Sequence, residues 1–248
     1  MHPSLSVVIP AFNEESRLPA NLQVIAEYLR QRIEPPSEIL VVNDGSTDRT
    51  AELAGEKARV LSSGGLRVVV LNNPGNRGKG YSVRHGALEA RSPWILVTDA
   101  DLSAPIEECD KLFAAVVSQP CDGAIGSRGL DRSLIGVHQP VFRELVGRVF
   151  NLAVQAAAGL PFRDTQCGFK LFSRKAAQQI FARQRLEGFG FDVEILYLAR
   201  KLGFEIAEVP VRWDHCEGTT VRMLAGADAF VDILRVRCND WTGKYDRA

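Results

Sequence analysis

The first 126 residues alternate short apolar runs with longer amphipathic stretches. Residues 6–9 and 94–98 are apolar runs of strand length, whereas residues 17–31 place leucine or isoleucine at the three- and four-residue spacing of one helix face. Strands that alternate with helical stretches are typical of βαβ units, in which neighbouring strands run parallel. The pattern therefore predicts an α/β fold with a mainly parallel central sheet flanked by helices.

The same signals divide the whole chain into predicted elements. Strands are expected at residues 6–9, 38–42, 67–71, 94–98, 123–126, 168–172 and 205–211. Helices are expected at residues 17–31, 49–59, 80–90, 106–117, 141–160, 175–182, 192–202 and 224–236, with a loop at 129–140. Since the sequence contains no internal repeat and no low-complexity linker, we expect one domain over residues 1–248.

The balance of 30 basic against 30 acidic side chains conceals a regional asymmetry. Residues 1–126 carry 12 basic and 16 acidic side chains, residues 127–185 carry 10 and 3, and residues 186–248 carry 8 and 11. Overall neutrality argues against a generally basic nucleic-acid-binding protein. The middle block, with a net charge of +7, is either a solvated face or a surface for an anionic partner.

Cysteine and histidine usage argues against a zinc or disulfide-rich protein. The five cysteines are odd in number and lack Cys-x-x-Cys spacing, which favours reduced thiols in a cytosolic compartment. His85, His138 and His215 are scattered along the chain without zinc-ligand spacing. The sequence also lacks a signal-peptide pattern and any run of about 18 apolar residues. We therefore expect a cytoplasmic protein with at most peripheral contact to the cytoplasmic face of a membrane.

Polar clusters follow three of the predicted strands, at residues 10–15, 43–48 and 99–101. In open α/β sheets, ligands bind at the carboxyl ends of the strands. Asp99 and Asp101 alternate along an extended segment, so that both carboxylates can face one hard cation. Because acidic groups at neighbouring strand ends repel one another unless a ligand compensates them, the pattern predicts a divalent metal and a nucleotide at this edge.

These clusters resemble the signature blocks of the family 2 inverting glycosyltransferases, which have the GT-A fold: SVVIPAFNEE at 6–15, VVNDGSTD at 41–48 and DAD at 99–101. Later blocks are similar to those of the dolichyl-phosphate glucosyltransferases and, less closely, the dolichyl-phosphate mannose synthases; they lie at 126–128, 164–170, 191–194, 213 and 217–218. The resemblance runs from residue 5 to residue 237. Its most specific part is DTQCGFK at 164–170.

The resemblance implies a Rossmann-like nucleotide-diphospho-sugar transferase fold, in which residues 5–126 bind the nucleotide-sugar and the metal. The donor-binding residues that it suggests, with one further candidate from the loop at 75–80, are Pro10, Phe12, Glu14, Val42, Asp44, Lys79, Asp99 and Ala100. It also implies that Asp101, with Asp99 beside it, holds Mg²⁺ or Mn²⁺. Where the mannose synthases carry a metal-binding glutamine, this chain has Ser103.

Residues 127–238 are expected to form the acceptor-binding half. The residues that the resemblance suggests for it are Arg128, Arg143, Gln166, Lys170 and Arg222. Guanidinium groups suit phosphate oxygens because their N–H groups form a planar fork. The family often has Ser-Lys after the Glu-Gly pair, whereas this chain has threonines at 219 and 220, and Arg222 is the nearest cation.

The implied reaction is an inverting transfer of a hexose, with UDP-glucose favoured as donor, to a polyprenyl or dolichyl-type phosphate. Because a lipid phosphate is already ionised at neutral pH, its attack needs little base catalysis. Asp101, Arg128 and Arg143 are therefore expected to stabilise the phosphates, and Asp192, at the position of the base in other inverting members, to orient the sugar or a cation. The alternatives are GDP-mannose as donor, a soluble acceptor, and a non-catalytic nucleotide-sugar-binding protein.

Several of these residues also fit purely structural roles. Asp44 suits a helix N-cap, and residues 75–80 suit a turn and helix entry better than a phosphate loop because they lack Walker spacing. Asp164 fits a cap, Lys170 a surface charge and Asp192 a helix start.

The apolar helix predicted at 141–160 also has two interpretations. A helix of this composition packs most often in a protein core. The alternative is that part of it, together with the helix at 224–236, forms an interfacial platform on which a polyprenyl chain lies. The second interpretation predicts peripheral membrane contact.

Overall fold

A computed structural model describes residues 1–137, 154–155, 158–215 and 225–246 of the protein. Its central feature is a seven-stranded sheet. Its strands are β1 (Leu5–Ala11), β2 (Ser37–Asn43), β3 (Leu66–Asn72), β4 (Trp94–Val97), β5 (Gly123–Ser127), β7 (Lys170–Ser173) and β8 (Ile206–Pro210). Their order is β3-β2-β1-β4-β7-β5-β8. All neighbours are parallel except β7, which runs antiparallel to β4 and β5.

Seven described helices cover the sheet or connect its strands. They are α1 (Leu18–Arg32), α2 (Thr50–Leu61), α3 (Lys79–Glu89), α4 (Cys109–Ser118), α5 (Arg174–Arg183), α6 (Phe191–Lys201) and α7 (Ala225–Trp241). Short 3-10 turns precede α4 at Ile106–Glu108 and follow β5 at Arg132–Leu134. Among the helices that the structure describes, none is both long and apolar enough to cross a bilayer.

The sheet separates two hydrophobic cores because successive strand side chains point to opposite faces. Val8 and Val42 belong to the core that contains α3, α5 and α6. Val7 and Val41 belong to the core that contains α1 and α4. Close packing requires a glycine in α3: a Cβ on Gly86 would lie 2.5 Å from Cγ1 of Val8 and 2.9 Å from Cγ2 of Val42. The predicted α/β architecture is confirmed.

The described elements match the predicted ones closely, with one difference. The region 129–140 was expected to be a loop, but Ile135–Val137 forms a strand, β6, that pairs in parallel with β9 (Trp213–Asp214). A pairing between residues almost 80 positions apart leaves little local signal in a sequence. The helix expected at 141–160 lies mostly outside the described residues; residues 154, 155 and 158 are helical.

The antiparallel orientation of β7 decides what meets at the carboxyl edge of the sheet. Its first residue, Lys170, pairs with Val97 near the end of β4 and with Ile125 in β5. The start of β7 therefore lies beside the ends of the parallel strands. An entirely parallel sheet would have sent this lysine to the opposite edge.

Glu38 connects four segments at the opposite edge. Its carboxylate accepts hydrogen bonds from the Ser6 hydroxyl at 2.6 Å, from Nε of Arg67 at 3.0 Å and from the backbone N–H of Arg91 at 2.6 Å. Burial of Glu38 opposes its ionised form, but these donors outweigh it and hold its pKa below the ordinary value. The carboxylate thus stabilises the fold in its ionised state.

We predict that Glu38→Gln lowers the free energy of unfolding by about 2 kcal/mol at pH 7, because it weakens a buried, charge-assisted network. Since the folded pKa lies below the unfolded value of about 4.3, this stabilisation is present above that pH and is lost as the pH falls through the folded pKa. Urea unfolding at pH 7 and pH 3 measures the difference. Glu52→Gln, at a solvent-exposed pair with Arg49, is the control and should change neither curve. An equal loss at both pH values would contradict the assignment.

Candidate active site

The predicted site residues meet at the carboxyl edge of the sheet. Asp44 follows β2, Asp99 and Asp101 follow β4, and Arg128 follows β5. Lys170 reaches the same edge as the first residue of β7. Five charged side chains from four strands therefore surround one edge, and most of them form the ion pairs described below.

Lys79 and Asp99 form the first of these pairs. The Lys79 Nζ lies 2.7 Å from Oδ1 of Asp99, and both side chains are partly exposed. Burial opposes the charge on Lys79, but the carboxylates of Asp99 and Asp192 outweigh it and raise its pKa. The Asp99 carboxylate also needs Gly168, because a Cβ there would lie only 2.6 Å from Cγ of Asp99.

Asp101 lies beside this pair, in a locally acidic environment. Its Oδ1 accepts a hydrogen bond from the backbone N–H of Ser103 at 3.0 Å. The neighbouring Glu14 has a raised pKa: burial is the main cause, Arg17 opposes it, and the charges of Asp101 and Asp99 add to it. Carboxylates that lie close together provide hard oxygen ligands for a cation. Within the described residues, no group of three His, Cys, Asp or Glu side chains is arranged to hold a metal by itself.

Arg128 is held in one orientation by two contacts. Its Nε and Nη2 donate to the two carboxylate oxygens of Asp164 at 2.6 and 2.8 Å, and its guanidinium lies 5.3 Å from the ring centroid of Trp213. Asp164 is fixed in turn, since its backbone N–H donates to Glu208 at 2.8 Å. Burial opposes both charges, but mutual attraction lowers the pKa of Asp164 and raises that of Arg128. Among the residues that the structure describes, the Nη1 N–H groups have no hydrogen-bond partner and could donate to a phosphate.

Lys170 is 1% exposed and forms a buried ion pair with Asp192. Its ammonium group also donates to the backbone carbonyl of Cys167 at 2.5 Å. The interpretation of Lys170 as a surface charge is therefore wrong. Lys170 is also a predicted acceptor-binding residue, but its side chain is buried and its charge is paired with Asp192. Asp192 is in the first turn of α6, which agrees with the helix-start interpretation of this residue.

Asp44 shapes the loop that leads into α3. Its carboxylate accepts hydrogen bonds from the Asn73 amide at 2.8 Å and from the backbone N–H groups of Arg77 at 2.9 Å and Gly78 at 2.7 Å. It is therefore not the N-cap of α2; that helix begins at Thr50, whose N–H donates to Asp48. Residues 75–80 form a turn and helix entry, as expected.

The remaining donor-side candidates differ in what they present. Pro10, Phe12 and Glu14 are partly exposed at the end of β1. The carbonyl of Ala100 accepts a hydrogen bond from Asn21. The Val42 side chain is fully buried and packs against Gly86, so that a ligand would contact its backbone.

Two acceptor-side candidates, Arg143 and Arg222, lie outside the described residues. Gln166 is described, and its side-chain Nε2 is buried with no hydrogen-bond partner in the part of the chain that the structure describes. An unpaired buried donor is costly, so this amide is suited to a ligand oxygen.

Sequence reasoning missed the roles of three supports of the site: Trp213 beneath Arg128, which it named only as part of a family block, Glu208 behind Asp164, and Asn73 beside Asp44. Glu208 offered a weak signal, because it interrupts an otherwise apolar strand. The other two act through contacts between residues distant in sequence or between loops, for which the local pattern carries no sign.

The chain is similar to known proteins along most of its length. Residues 6–181 match the model of glycosyl transferase family 2. The chain is 38% identical to the dolichyl-phosphate beta-glucosyltransferase of Drosophila melanogaster over 96% of this chain and 76% of that protein. It is 36% identical to the dolichyl-phosphate beta-glucosyltransferase of Homo sapiens, over 97% of this chain and 77% of that protein.

Solved structures show the same fold at lower identity. Mannosyl-3-phosphoglycerate synthase from Rubrobacter xylanophilus has a TM-score of 0.67 at 18% identity, and the match covers 97% of this chain and 75% of that chain. Glucosyl-3-phosphoglycerate synthase from Mycobacterium tuberculosis has a TM-score of 0.65 at 18% identity, covering 94% and 79%.

We predict that Lys170→Met destabilises the protein by about 3–5 kcal/mol, because it leaves Asp192 buried without its cation. The double variant Lys170→Met/Asp192→Leu should recover most of that loss, since an apolar pair needs no compensating charge. Urea unfolding of the two variants measures both values. A small loss in the single variant, or no recovery in the double variant, would show that the two groups do not form a buried pair in solution.

Proposed function

The chain belongs to glycosyl transferase family 2 and is a glycosyltransferase, and we propose that it transfers glucose from UDP-glucose to a polyprenyl (dolichyl-type) phosphate with inversion. The observation that carries the proposal is the identity of 34–38% to six proteins named dolichyl-phosphate beta-glucosyltransferase, over 94–97% of this chain. Such coverage includes both the donor edge and the block at 164–170. The proposed enzyme joins two phosphate-bearing substrates at one charged edge of the sheet.

The donor side of the site suits a nucleoside diphosphate. The Lys79 ammonium group lies 2.7 Å from the carboxylate of Asp99, just after the end of β4. There it is placed to contact a diphosphate oxygen instead of Asp99. Pro10, Phe12 and Glu14 are expected to border the base and ribose. The glucosyl assignment and the choice of uridine come from the family resemblance.

The residues at the end of β4 fit a divalent cation. Mg²⁺ and Mn²⁺ prefer oxygen ligands, and Mg²⁺ is commonly held by one or two carboxylates together with water and substrate phosphates. Asp101 and Asp99 would hold it, with Ser103 as a further candidate. When bound, the cation would offset the negative charge that grows on the departing diphosphate.

The acceptor side suits a monophosphate. Asp164 and Trp213 hold Arg128 so that its Nη1 N–H groups can meet a phosphate oxygen, and the unpartnered Gln166 amide offers another donor. A guanidinium that is already oriented loses little entropy when the phosphate binds. Arg143 and Arg222 remain candidates for the same phosphate.

Asp192 is unsuited to act as a free general base. Its carboxylate is paired with the buried Lys170, so that removing a proton from a substrate would disrupt that ion pair. An ionised lipid phosphate needs no such base. We therefore assign to Lys170 and Asp192 the task of holding the sugar side of the site in place.

A surface on α7 supports peripheral membrane contact. Val231, Leu234 and Trp241 are 48%, 67% and 77% exposed, and their spacing places them on one side of the helix. Trp and Leu on one helix side, next to the exposed Arg235, suit the headgroup region of a bilayer that holds the lipid acceptor.

We predict that the protein with Mg²⁺ or Mn²⁺ makes a glucosyl lipid from UDP-glucose and a short polyprenyl phosphate. Mass spectrometry of the lipid product, with GDP-mannose and soluble phosphate acceptors in parallel, measures the choice of donor and acceptor. Asp101→Asn should lower turnover by about 100-fold or more, since charge stabilisation supplies much of such catalysis. The control is Asp122→Asn, directly before β5 at the opposite edge.

Three outcomes would contradict this proposal. A product on soluble acceptors alone would exclude the lipid, and a product from GDP-mannose alone would exclude the glucosyl donor. Full activity of the Asp101→Asn variant would remove the metal role.

We predict that the protein sediments with anionic liposomes that contain polyprenyl phosphate, and that Leu234→Ser/Trp241→Ser weakens this binding several-fold. The reason is that both substitutions remove apolar area from the proposed contact. The matched control is Val60→Ser/Val117→Ser, at two exposed valines elsewhere. If wild type ignores liposomes with and without lipid phosphate, the membrane contact is wrong.

A further inference from the structure

Glycines on both sides of Lys79 allow another segment to lie directly against the start of α3. A Cβ on Gly78 would lie 2.6 Å from the carbonyl oxygen of Glu187, and a Cβ on Gly80 would lie 2.6 Å from the carbonyl oxygen of Leu186. Gly78 also has a φ of +104°, which side-chain-bearing residues rarely adopt. We call residues 184–188 the clamp segment.

The clamp segment holds the first turn of α3 by hydrogen bonds. The carbonyl of Glu187 accepts from the backbone N–H of Tyr81 at 3.1 Å. The side-chain amide of Gln184 donates to the carbonyl of Gly80 at 2.9 Å. Lys79 directly precedes these two bonded residues in the first turn of α3, so that the position of its backbone depends on the clamp segment.

Glu194 of α6 holds the clamp segment from behind. Its carboxylate accepts from the backbone N–H of Arg185 at 3.0 Å and from that of Leu186 at 2.8 Å. The side chain is fully buried. A buried carboxylate whose partners are backbone N–H groups fixes the path of those residues closely.

Tyr245 completes this chain of contacts from the region after α7. Its hydroxyl donates to Oε1 of Glu194 at 2.7 Å, and the side chain is 1% exposed. Burial is the main cause that raises the pKa of both groups, so that the tyrosine stays a donor. The contacts therefore run from Tyr245 to Glu194, to the clamp segment and to Gly80 and Tyr81, which directly follow Lys79, the partner of Asp99.

We propose that Glu194, Tyr245 and Gln184 are positioning residues for donor binding, because they fix the clamp segment and thereby place the Lys79 ammonium group at the diphosphate site. This inference rests on the proposed function, in which Lys79 contacts the donor diphosphate. None of the three residues touches Asp99 in the described structure. Their effect on substrate passes through the backbone of residues 184–188 and of Gly78–Gly80.

The test uses Tyr245→Phe, which removes one hydroxyl and preserves the ring. We expect the dissociation constant for uridine diphosphate with Mg²⁺ to rise about five- to tenfold, the size of one ordinary hydrogen bond. Isothermal titration measures it, and guanosine diphosphate replaces the uridine probe if wild type binds it more tightly. In turnover assays, KM for the donor should rise while kcat stays within about twofold.

Tyr197→Phe is the matched control. The Tyr197 hydroxyl also links α6 to the end of α7, since it donates to Asp240 at 2.5 Å, but it does not contact the clamp segment. It should leave the dissociation constant unchanged. The effect of Tyr245→Phe should also disappear when Lys79→Met is already present, because both changes then act on the same contact.

Gln184→Met is the second test variant if Tyr245→Phe does not fold, because the Gln184 amide bonds to the same first turn of α3. It should weaken nucleotide binding in the same direction and likewise lose its effect beside Lys79→Met. Equal nucleotide affinity in folded Tyr245→Phe, or in folded Gln184→Met where the first variant does not fold, would overturn the inference. Effects that add fully to that of Lys79→Met would overturn it as well. Failure of wild type to bind either nucleoside diphosphate would instead refute the proposed function.

Discussion

Three ion pairs at the carboxyl edge of the sheet organise the rest of the site: Lys79–Asp99, Arg128–Asp164 and Lys170–Asp192. Each pair joins segments that are distant in the sequence. A charge taken out of water is costly unless an opposite charge and hydrogen bonds compensate it. The loops are therefore stable only in arrangements that let these pairs form. Apolar residues of similar size could stabilise such an edge equally well. The retention of charge there therefore points to ligand binding.

The pairs also explain how a chain with no net charge could bind the two anionic substrates that we propose for it. The positive block at 127–185 contributes Arg128 and Lys170, of which one is paired inside the block and the other with Asp192 outside it. Pairing leaves Lys170 structural and leaves Arg128 with N–H groups to donate. The excess charge of a sequence block is thus a poor measure of the charge that a ligand meets.

Much of the fold was predictable because its signals are local. The periodicity of residues 17–31 and the apolar run at 38–42 correspond to α1 and β2, and the acidic residues after β4 lie at the expected edge. The antiparallel direction of β7 and the burial of Lys170 were not predictable from the residues alone, since the partner Asp192 is 22 positions away and in another element. The same holds for Tyr245, whose contact with Glu194 spans 51 positions.

We propose that this edge of the sheet joins a glucosyl donor to a lipid phosphate with inversion. The most direct measurement is the anomeric configuration of the product. The protein would be incubated with a metal, UDP-glucose labelled with ¹³C at the anomeric carbon, and a short polyprenyl phosphate, and the lipid product read by NMR. The account predicts a β-linked glucosyl phosphate. An α-linked product would contradict inversion, and label that never reaches the lipid would contradict the assignment of the acceptor.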